Sequence, residues 1–302
     1  MGLSTPAAAS HRALADLRRP RGRRATEAAA HAVLLVATLA GIGFLAVLLA
    51  DILRDGVPRL DLDFLISYSS RHPEQFGVLS SLTGTLSLMV LVALFSFPVG
   101  VGAALYLQEF APDNRFTRLL QVNIANLAGV PSVVYGLLAA GVFVYFLGFG
   151  RSLFSGAMAL SLLILPVIIV ASREALRAVP TSIREAGLAL GATPWQVTYR
   201  QVLPMAMPGV MTGTILALSR AIGEAAPVLV AGAVFSRRAT NEPWKMGEAF
   251  AAMPVQIFDL VKRPQHAFQI EVAAAGIVVL LGALLLMNAV AIVLRNRYSR
   301  RW

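Results

Sequence analysis

The chain of 302 residues has no cysteine, four histidines and two lysines, and only 14% of it is charged. Without cysteine there is no disulfide, no thiol nucleophile and no thiolate metal ligand. His11, His31, His72 and His266 are too scattered in sequence to suggest a metal site. A Walker A loop needs Gly followed by Lys and then Ser or Thr, but Lys245 and Lys262 follow Trp244 and Val261. ATP hydrolysis by that chemistry is therefore excluded. No His-Glu-x-x-His segment occurs and no pair of acids lies within a long apolar run, so the constellations of intramembrane metallo- and aspartyl proteases are missing too.

What is present is apolar. Hydrophobic residues make up 57% of the chain, against about 45–50% in ordinary soluble domains. A formal charge of +10 would point to nucleic acid in a soluble protein, but here the charges sit in short clusters between long uncharged runs. That pattern suits a membrane and argues against a nucleic-acid partner. A helix needs about 20 apolar residues to cross the hydrocarbon layer. Uncharged runs of 23, 34, 32, 21 and 23 residues begin after Glu27, Glu74, Arg118, Arg151 and Glu271. A further run, 201–236, is interrupted only by Arg220 and Glu224. Six transmembrane helices are predicted, near 30–52, 79–106, 122–147, 153–171, 207–234 and 272–294. The first run exceeds the roughly 7–15 residues of a signal-peptide core, so it is predicted to be a retained anchor.

Basic residues favour the cytoplasmic side. Sixteen fall in the N-terminal tail, the loops after spans two and four and the C-terminal tail, whereas nine fall on the other side among eight acids. Both termini are thus predicted to be cytoplasmic, with basic tails at 1–27 and 295–302 close to anionic lipid. A first anchor at 28–53, an extracytoplasmic segment at 54–78 and a core at 79–294 complete the division. The outer segment 235–271, partly amphipathic through Trp244, Phe250, Ile257, Phe258 and Leu260, is read as an interfacial connector.

The cytoplasmic loop 172–204 has too many helix signals for a plain connector. Pro180 stops one helix, Thr181 or Ser182 can cap the next with Glu185 in its first turn, and Gly191 ends it. Thr193 and Pro194 then start a second short helix reaching Val202.

Glu185-Ala186-Gly187, then Gly191, then Gln201-Val202-Leu203-Pro204 resemble the EAA loop of the membrane subunits of binding-protein-dependent ABC importers. Gly187 stands where that pattern has a second Ala, and Gln201 where it has an aliphatic residue. Further segments, Ser172-Arg173-Glu174-Ala175-Leu176, Leu190-Gly191-Ala192-Thr193 and Ser219-Arg220-Ala221-Ile222-Gly223-Glu224, resemble the PstA family of phosphate-importer permeases, with Ala225 in place of the usual Thr. The resemblance implies an all-α membrane protein of type I ABC importer permease (MetI-like) architecture in a bacterial cytoplasmic membrane. It implies as partners a homologous permease (PstC type), two ATP-binding subunits (PstB type), an extracytoplasmic phosphate-binding protein (PstS type), inorganic phosphate and membrane lipids. No cofactor would be bound by this chain, because ATP and Mg would be used by the partner ATPase. Glu185, Ala186, Gly187, Gly191, Leu203 and Pro204 would form the ATPase-coupling loop.

Arg220 in span five costs about 2.5–3.5 kcal/mol on insertion scales, and Glu224, four residues on, can pair with it. Two readings fit: a guanidinium that meets a phosphate anion while Glu224 holds it in the empty state, or an Arg-Glu pair that fixes two helices. The family resemblance favours the first. Thr214 and Asn126 are weaker candidates for the same pathway. Span hydroxyls at Ser80, Ser81, Thr83, Thr85, Ser87 and Thr212 are expected to bond back to their helices. Gly209-x-x-x-Gly213 reads as a close-packing signature. Importers of sulfate or molybdate, and a self-sufficient secondary anion transporter or channel, are the alternatives.

Overall fold

The computed structural model describes residues 21–235 and 237–298. The expected basic tails lie partly outside these residues. The chain divides after Ile52. The first part is the apolar helix α1 (Arg21–Gly56), which continues a few residues beyond the division.

The second part is a helical bundle: α2 (Leu62–Ile66), α3 (Leu79–Leu105), α4 (Arg115–Leu127), α5 (Ser132–Ala139), α6 (Leu153–Arg177), α7 (Thr181–Ala189), α8 (Pro194–Val197), α9 (Leu203–Ala221), α10 (Ala226–Val230), α11 (Met253–Lys262) and α12 (Ala273–Tyr298). Wider π-type turns extend α3 to Phe110, α5 to Phe146 and α12 back to Phe268, and join α8 to α9. Among the described residues five helices are long and apolar enough to cross a membrane, or six where the bent pair counts as one span.

Two predicted spans are corrected. The helix expected at 122–147 is two segments, Arg115–Leu127 and Ser132–Phe146, bent by 106°. The break carries Gly129 and Pro131, both apolar or neutral, so the uncharged run passes through it unnoticed. The helix expected at 207–234 stops at Ala221, and the chain resumes only for the five residues of α10. At its other end this span begins earlier, since α8 runs through the π turn into α9 as one apolar helix from Pro194 to Ala221. The second short loop helix is therefore the start of span five.

Helix α6 is central: 67% of its apolar window is buried, against 39% for α3. Leu153, Leu160, Ile164, Ile168 and Leu176 are each at most 1% exposed. Lipid tails are as apolar as leucine, so helix association here depends on close van der Waals fit rather than on leaving water. Small residues supply that fit. A Cβ on Gly209 would lie 2.8 Å from the Ala175 Cβ, and one on Gly213 would overlap the Ala171 Cβ. The Gly209/Gly213 pair thus packs on an Ala171/Ala175 pair with the same spacing on α6.

The segment 235–271 does more than connect two spans, burying Phe250 and Leu260 while Trp244 and Phe258 stay exposed. Its first part folds into the end of the bundle remote from α7. Ser80 and Ser87 donate to the carbonyls of Ala239 and Asn241, at 3.0 and 2.9 Å. Thr83 and Thr85 accept from the amides of Asn241 and Met253, at 3.3 and 2.8 Å. Asn241, 4% exposed, donates to Ala249 O and accepts from Ala251 N. Thr83 and Thr85 do bond back to α3 as expected, but this polar face also clamps a loop some 150 residues away, which no local pattern announces. The loop in turn caps α6. Leu153 N donates to Glu248 O and Phe154 N to Met246 O, both at 2.9 Å, while Ser152 accepts from Ser155 N and Gly156 N. The amides of Leu153, Phe154 and Ser155, which have no acceptor within the helix, are thereby satisfied. Phe250, fully buried, lies where a side chain at Gly156 would otherwise go.

Substituting Gly213→Ala is expected to force α9 away from α6 and to lower stability by about 1–3 kcal/mol. Gly102→Ala, where a Cβ meets nothing within 4 Å, is expected to be neutral. Thermal unfolding of the two variants in detergent, against the parent, checks this.

Candidate functional site

Arg220 occupies the last turn of α9, and Glu224 lies just beyond the helix end. The pairing expected from their spacing is present, with Arg220 Nε donating to Glu224 Oε1 at 3.3 Å. The surrounding geometry is not the one expected, because the helix does not run on through them. Ile222 N, Gly223 N and Glu224 N donate to Leu218 O, Arg220 O and Ala221 O, so the chain turns tightly there. Pro227 then sits in the first turn of α10, where a missing N–H matters little.

The pair is lopsided. The Glu224 side chain is 18% exposed and that of Arg220 is 49% exposed. Glu224 borders a small crevice under Ala252 and Pro254, between Thr85, Leu88 and Leu160. Arg220 stands on an exposed stripe of α9 that also carries Thr212, Leu216 and, beyond the helix end, Gly223.

The break after α9 meets the bend between α4 and α5. A Cβ on Gly136 would lie 2.8 Å from the Pro227 Cα, so only glycine allows this crossing. One residue before it, Tyr135 donates its hydroxyl to Leu127 O at 2.8 Å, bridging the bend, and Arg220 is close enough to act electrostatically on that phenol. Sequence reasoning missed Tyr135, and its only signal was an aromatic hydroxyl just after Gly129 and Pro131. Asn126, one residue before the bridged carbonyl, is exposed. Thr214 is not brought to the pair: it is 5% exposed and donates to Val210 O at 2.9 Å within its own helix.

At the opposite end of α9 lies the hairpin of α7 and α8. Helix α7 begins at Thr181 itself with Pro180 as an N-cap lacking a side-chain bond, so neither Thr181 nor Ser182 caps it and Glu185 falls beyond the first turn. Gly191 ends the hairpin's first arm at φ +82°, a conformation few other residues tolerate. Thr193 caps α8 in a full capping box with Gln196, and Pro194 follows at N1. The two departures from the EAA pattern touch one another. A Cβ at Gly187 would lie 3.0 Å from the Gln201 Oε1 and 2.7 Å from a Val197 methyl, so the glycine makes room for the longer residue. Glu185 and Ala186 are exposed, whereas Leu203 and Pro204 are half-buried at the start of α9.

The hairpin shows apolar surface at its tip and along one side. Leu188, Leu190, Trp195 and Tyr199 are exposed, Leu190 by 87%, and Trp195 stacks on Tyr199 and lies tilted against Phe110. Apolar patches of this kind mark docking faces. Beneath it, Arg184 makes a two-pronged pair with Glu109 at 2.8 and 3.1 Å and also donates to Val179 O and Leu176 O. The side chains are 21% and 8% exposed. One guanidinium thus ties α7 to the ends of α3 and α6. Sequence reasoning also missed this tie, since in the sequence Glu109 only ends the 34-residue uncharged run that begins after Glu74. Among the described residues no three His, Asp or Glu side chains gather into a metal site.

Comparison with known proteins agrees with this architecture. Residues 96–302 match the model of the family described as binding-protein-dependent transport system inner membrane component. The phosphate transport system permease protein PstA 1 of Mycobacterium tuberculosis is 37% identical over 231 residues, which cover 76% of this chain and 74% of that one. PstA of Xylella fastidiosa is 29% identical over 278 residues, covering 91% of this chain and 95% of the relative. Among solved structures, a bacterial alginate ABC transporter chain aligns with TM-score 0.65 at 15% identity over 94% of this chain and 99% of its own. A chain of the MetNI methionine ABC transporter aligns with TM-score 0.60 at 18% identity, over 74% and 96% respectively. At these identities the structural matches speak for the fold alone. With its helical bundle, its bent span and its hairpin, the chain belongs to the family of binding-protein-dependent transport system inner membrane components, multi-pass permease subunits of ABC importers.

Proposed function

We propose that this chain is the permease of an ATP-driven inorganic phosphate importer and forms one half of the translocation pathway. The observation that carries the reading is Arg220: a half-exposed guanidinium at the junction of two broken spans. Lipid does not accommodate such a group, so its exposed side faces water, the ion or a second subunit. The same stripe of α9 then completes the path when a homologous permease of PstC type packs against it. Guanidinium donors match tetrahedral phosphate and stay charged at any working pH. A partly neutralised charge is also suited to passage, since a deep well would trap the ion. The PstA relatives support phosphate as the cargo.

In this reading the termini are cytoplasmic, the hairpin is the docking element for ATP-binding subunits of PstB type, and a PstS-type protein delivers phosphate from outside. ATP and Mg act in the ATPase, and no cofactor is needed in this chain. Glu185, Ala186, Gly187, Gly191, Leu203 and Pro204 shape the docking element, and closure of the ATPase pulls it so that the far end opens. Arg184 conveys that pull, because its carboxylate and carbonyl partners lie on α3 and α6. Of the remaining pathway candidates, Asn126 lies at the bend beside Tyr135's partner carbonyl, whereas Thr214 serves packing.

Two outcomes follow for the assembled transporter in proteoliposomes. Arg220→Gln is expected to reduce ATP-dependent uptake of labelled phosphate at least about tenfold, the scale of one lost charged hydrogen bond of ~1.5–3 kcal/mol. Its thermal midpoint should stay close to the parent value, because the Arg220 guanidinium is itself half-exposed; excess sulfate should not compete. Full activity in the mutant would reduce the pair to a structural one. Arg184→Gln leaves Glu109 nearly buried and unpaired, a loss of about 3–5 kcal/mol in similar cases. It is expected to lower phosphate moved per ATP hydrolysed several-fold while hydrolysis persists, with partial recovery in Arg184→Lys.

A further inference from the structure

Close to the hairpin end, a cup of about 300 Å³ opens between the end of α3, the start of α4 and the last turns of α6. Its wall is largely polar: Gln108, Asp113, Thr117, Gln121, Arg173 and Arg177 line it together with short apolar stretches. Arg173 and Arg177 are one helical turn apart, so both guanidinium groups reach the same face.

Arginines at a helix C-terminus often do no more than complement its dipole. These two differ in their surroundings. Arg173 Nε is buried and has no hydrogen-bond partner. Neither side chain forms an ion pair among the described residues, although carboxylates are close by. Glu109 is engaged by Arg184, and Asp113, the one acid in the cup, is engaged by Arg118 at 3.4 Å. Glu174 does not line the cup. Two cationic forks therefore converge on an open polar space with one donor already desolvated. A buried unmet donor costs about 1–3 kcal/mol, and a bound anion relieves that cost. Thr117 and Gln121 add neutral polar groups to the wall.

We propose that Arg173 and Arg177 form a binding site for a phosphate-type oxyanion, separate from the Arg220 pathway. The group it holds is either a free phosphate ion or the phosphodiester of an anionic lipid headgroup. The site goes beyond the transport reading and does not depend on which cargo the pathway carries.

The test uses the full-length chain in nanodiscs and the arginine reagent phenylglyoxal, with modification at each arginine read by peptide mass spectrometry. One arm uses phosphatidylcholine discs with inorganic phosphate, against chloride at equal ionic strength. The other replaces part of the lipid by phosphatidylglycerol without added phosphate. Occupancy at ten times the Kd should slow modification of Arg173 and Arg177 about tenfold by mass action, leaving the exposed Arg115 and Arg200 unchanged. Protection by phosphate in phosphatidylcholine supports the site with a soluble anion as occupant. Protection only by phosphatidylglycerol supports it with a lipid headgroup. No protection in either arm, or equal slowing at Arg115 and Arg200, overturns the proposal. Because the wild-type chain is read, a misfolded variant cannot imitate either result, and failure here leaves the Arg220 uptake result untouched.

Discussion

In hydrocarbon every backbone N–H and C=O must find a partner within the protein, and one left unmet costs several kcal/mol. This chain breaks two of its spans despite that constraint, and the way it meets the constraint organises the rest. At the bend between α4 and α5, Tyr135 donates to the Leu127 carbonyl, and Gly129 N and Val130 N fold back onto Asn126 O and Leu127 O. At the end of α9, three successive amides tighten onto the carbonyls of the last turn. Non-helical backbone at membrane depth survives where it borders a cavity or protein rather than lipid, and transporters commonly place their sites at such breaks. Arg220 stands where the two breaks meet, which gives its charge a polar setting that an unbroken helix would not.

The same accounting explains the far end of the bundle. Helix α6 begins with four amides that need acceptors, and the 239–253 loop provides two of them as main-chain carbonyls. The loop can afford its depth because Ser80, Thr83, Thr85 and Ser87 satisfy its own backbone. Between these ends, α6 and α9 meet closely through alanine and glycine. Arg184 ties the hairpin to both α3 and α6. A displacement applied at Leu190 or Trp195 therefore has a mechanical route to Arg220 along α9, which runs through the π turn from one to the other.

Much of this was legible in the sequence. Six spans, the Gly191 stop, the Thr193–Pro194 start, the Gly209/Gly213 contact and the Arg220–Glu224 pair all follow from spacing and residue chemistry. What was not legible divides by cause. Counting uncharged residues measures composition, so it passes over Gly129 and Pro131 and joins two segments into one span. The same count carries span five beyond Ala221, because Arg220 and Glu224 are spaced as a helical pair and the uncharged run 225–236 follows them. The buried loop was missed because its bonds join residues about 150 apart, as Ser87 to Asn241 and Thr85 to Met253. Thr214 looked like a pathway hydroxyl because its orientation is fixed by which side of α9 meets α6, and a sequence does not state that. Gly187 and Gln201 looked like two independent departures until the fold put them in contact.

The central claim is that the exposed stripe of α9 ending at Arg220 lines a water-accessible path completed by a second subunit. The absence of native cysteine makes this directly measurable. Leu216→Cys and Gly223→Cys, in the transporter assembled with its partners in proteoliposomes, can be titrated with a membrane-impermeant methanethiosulfonate, with and without ATP. The account predicts that both positions react and that their rates change when ATP is added. Positions that stay silent to the charged reagent in every state, yet react with a lipid-soluble maleimide, would place the stripe against lipid and contradict it.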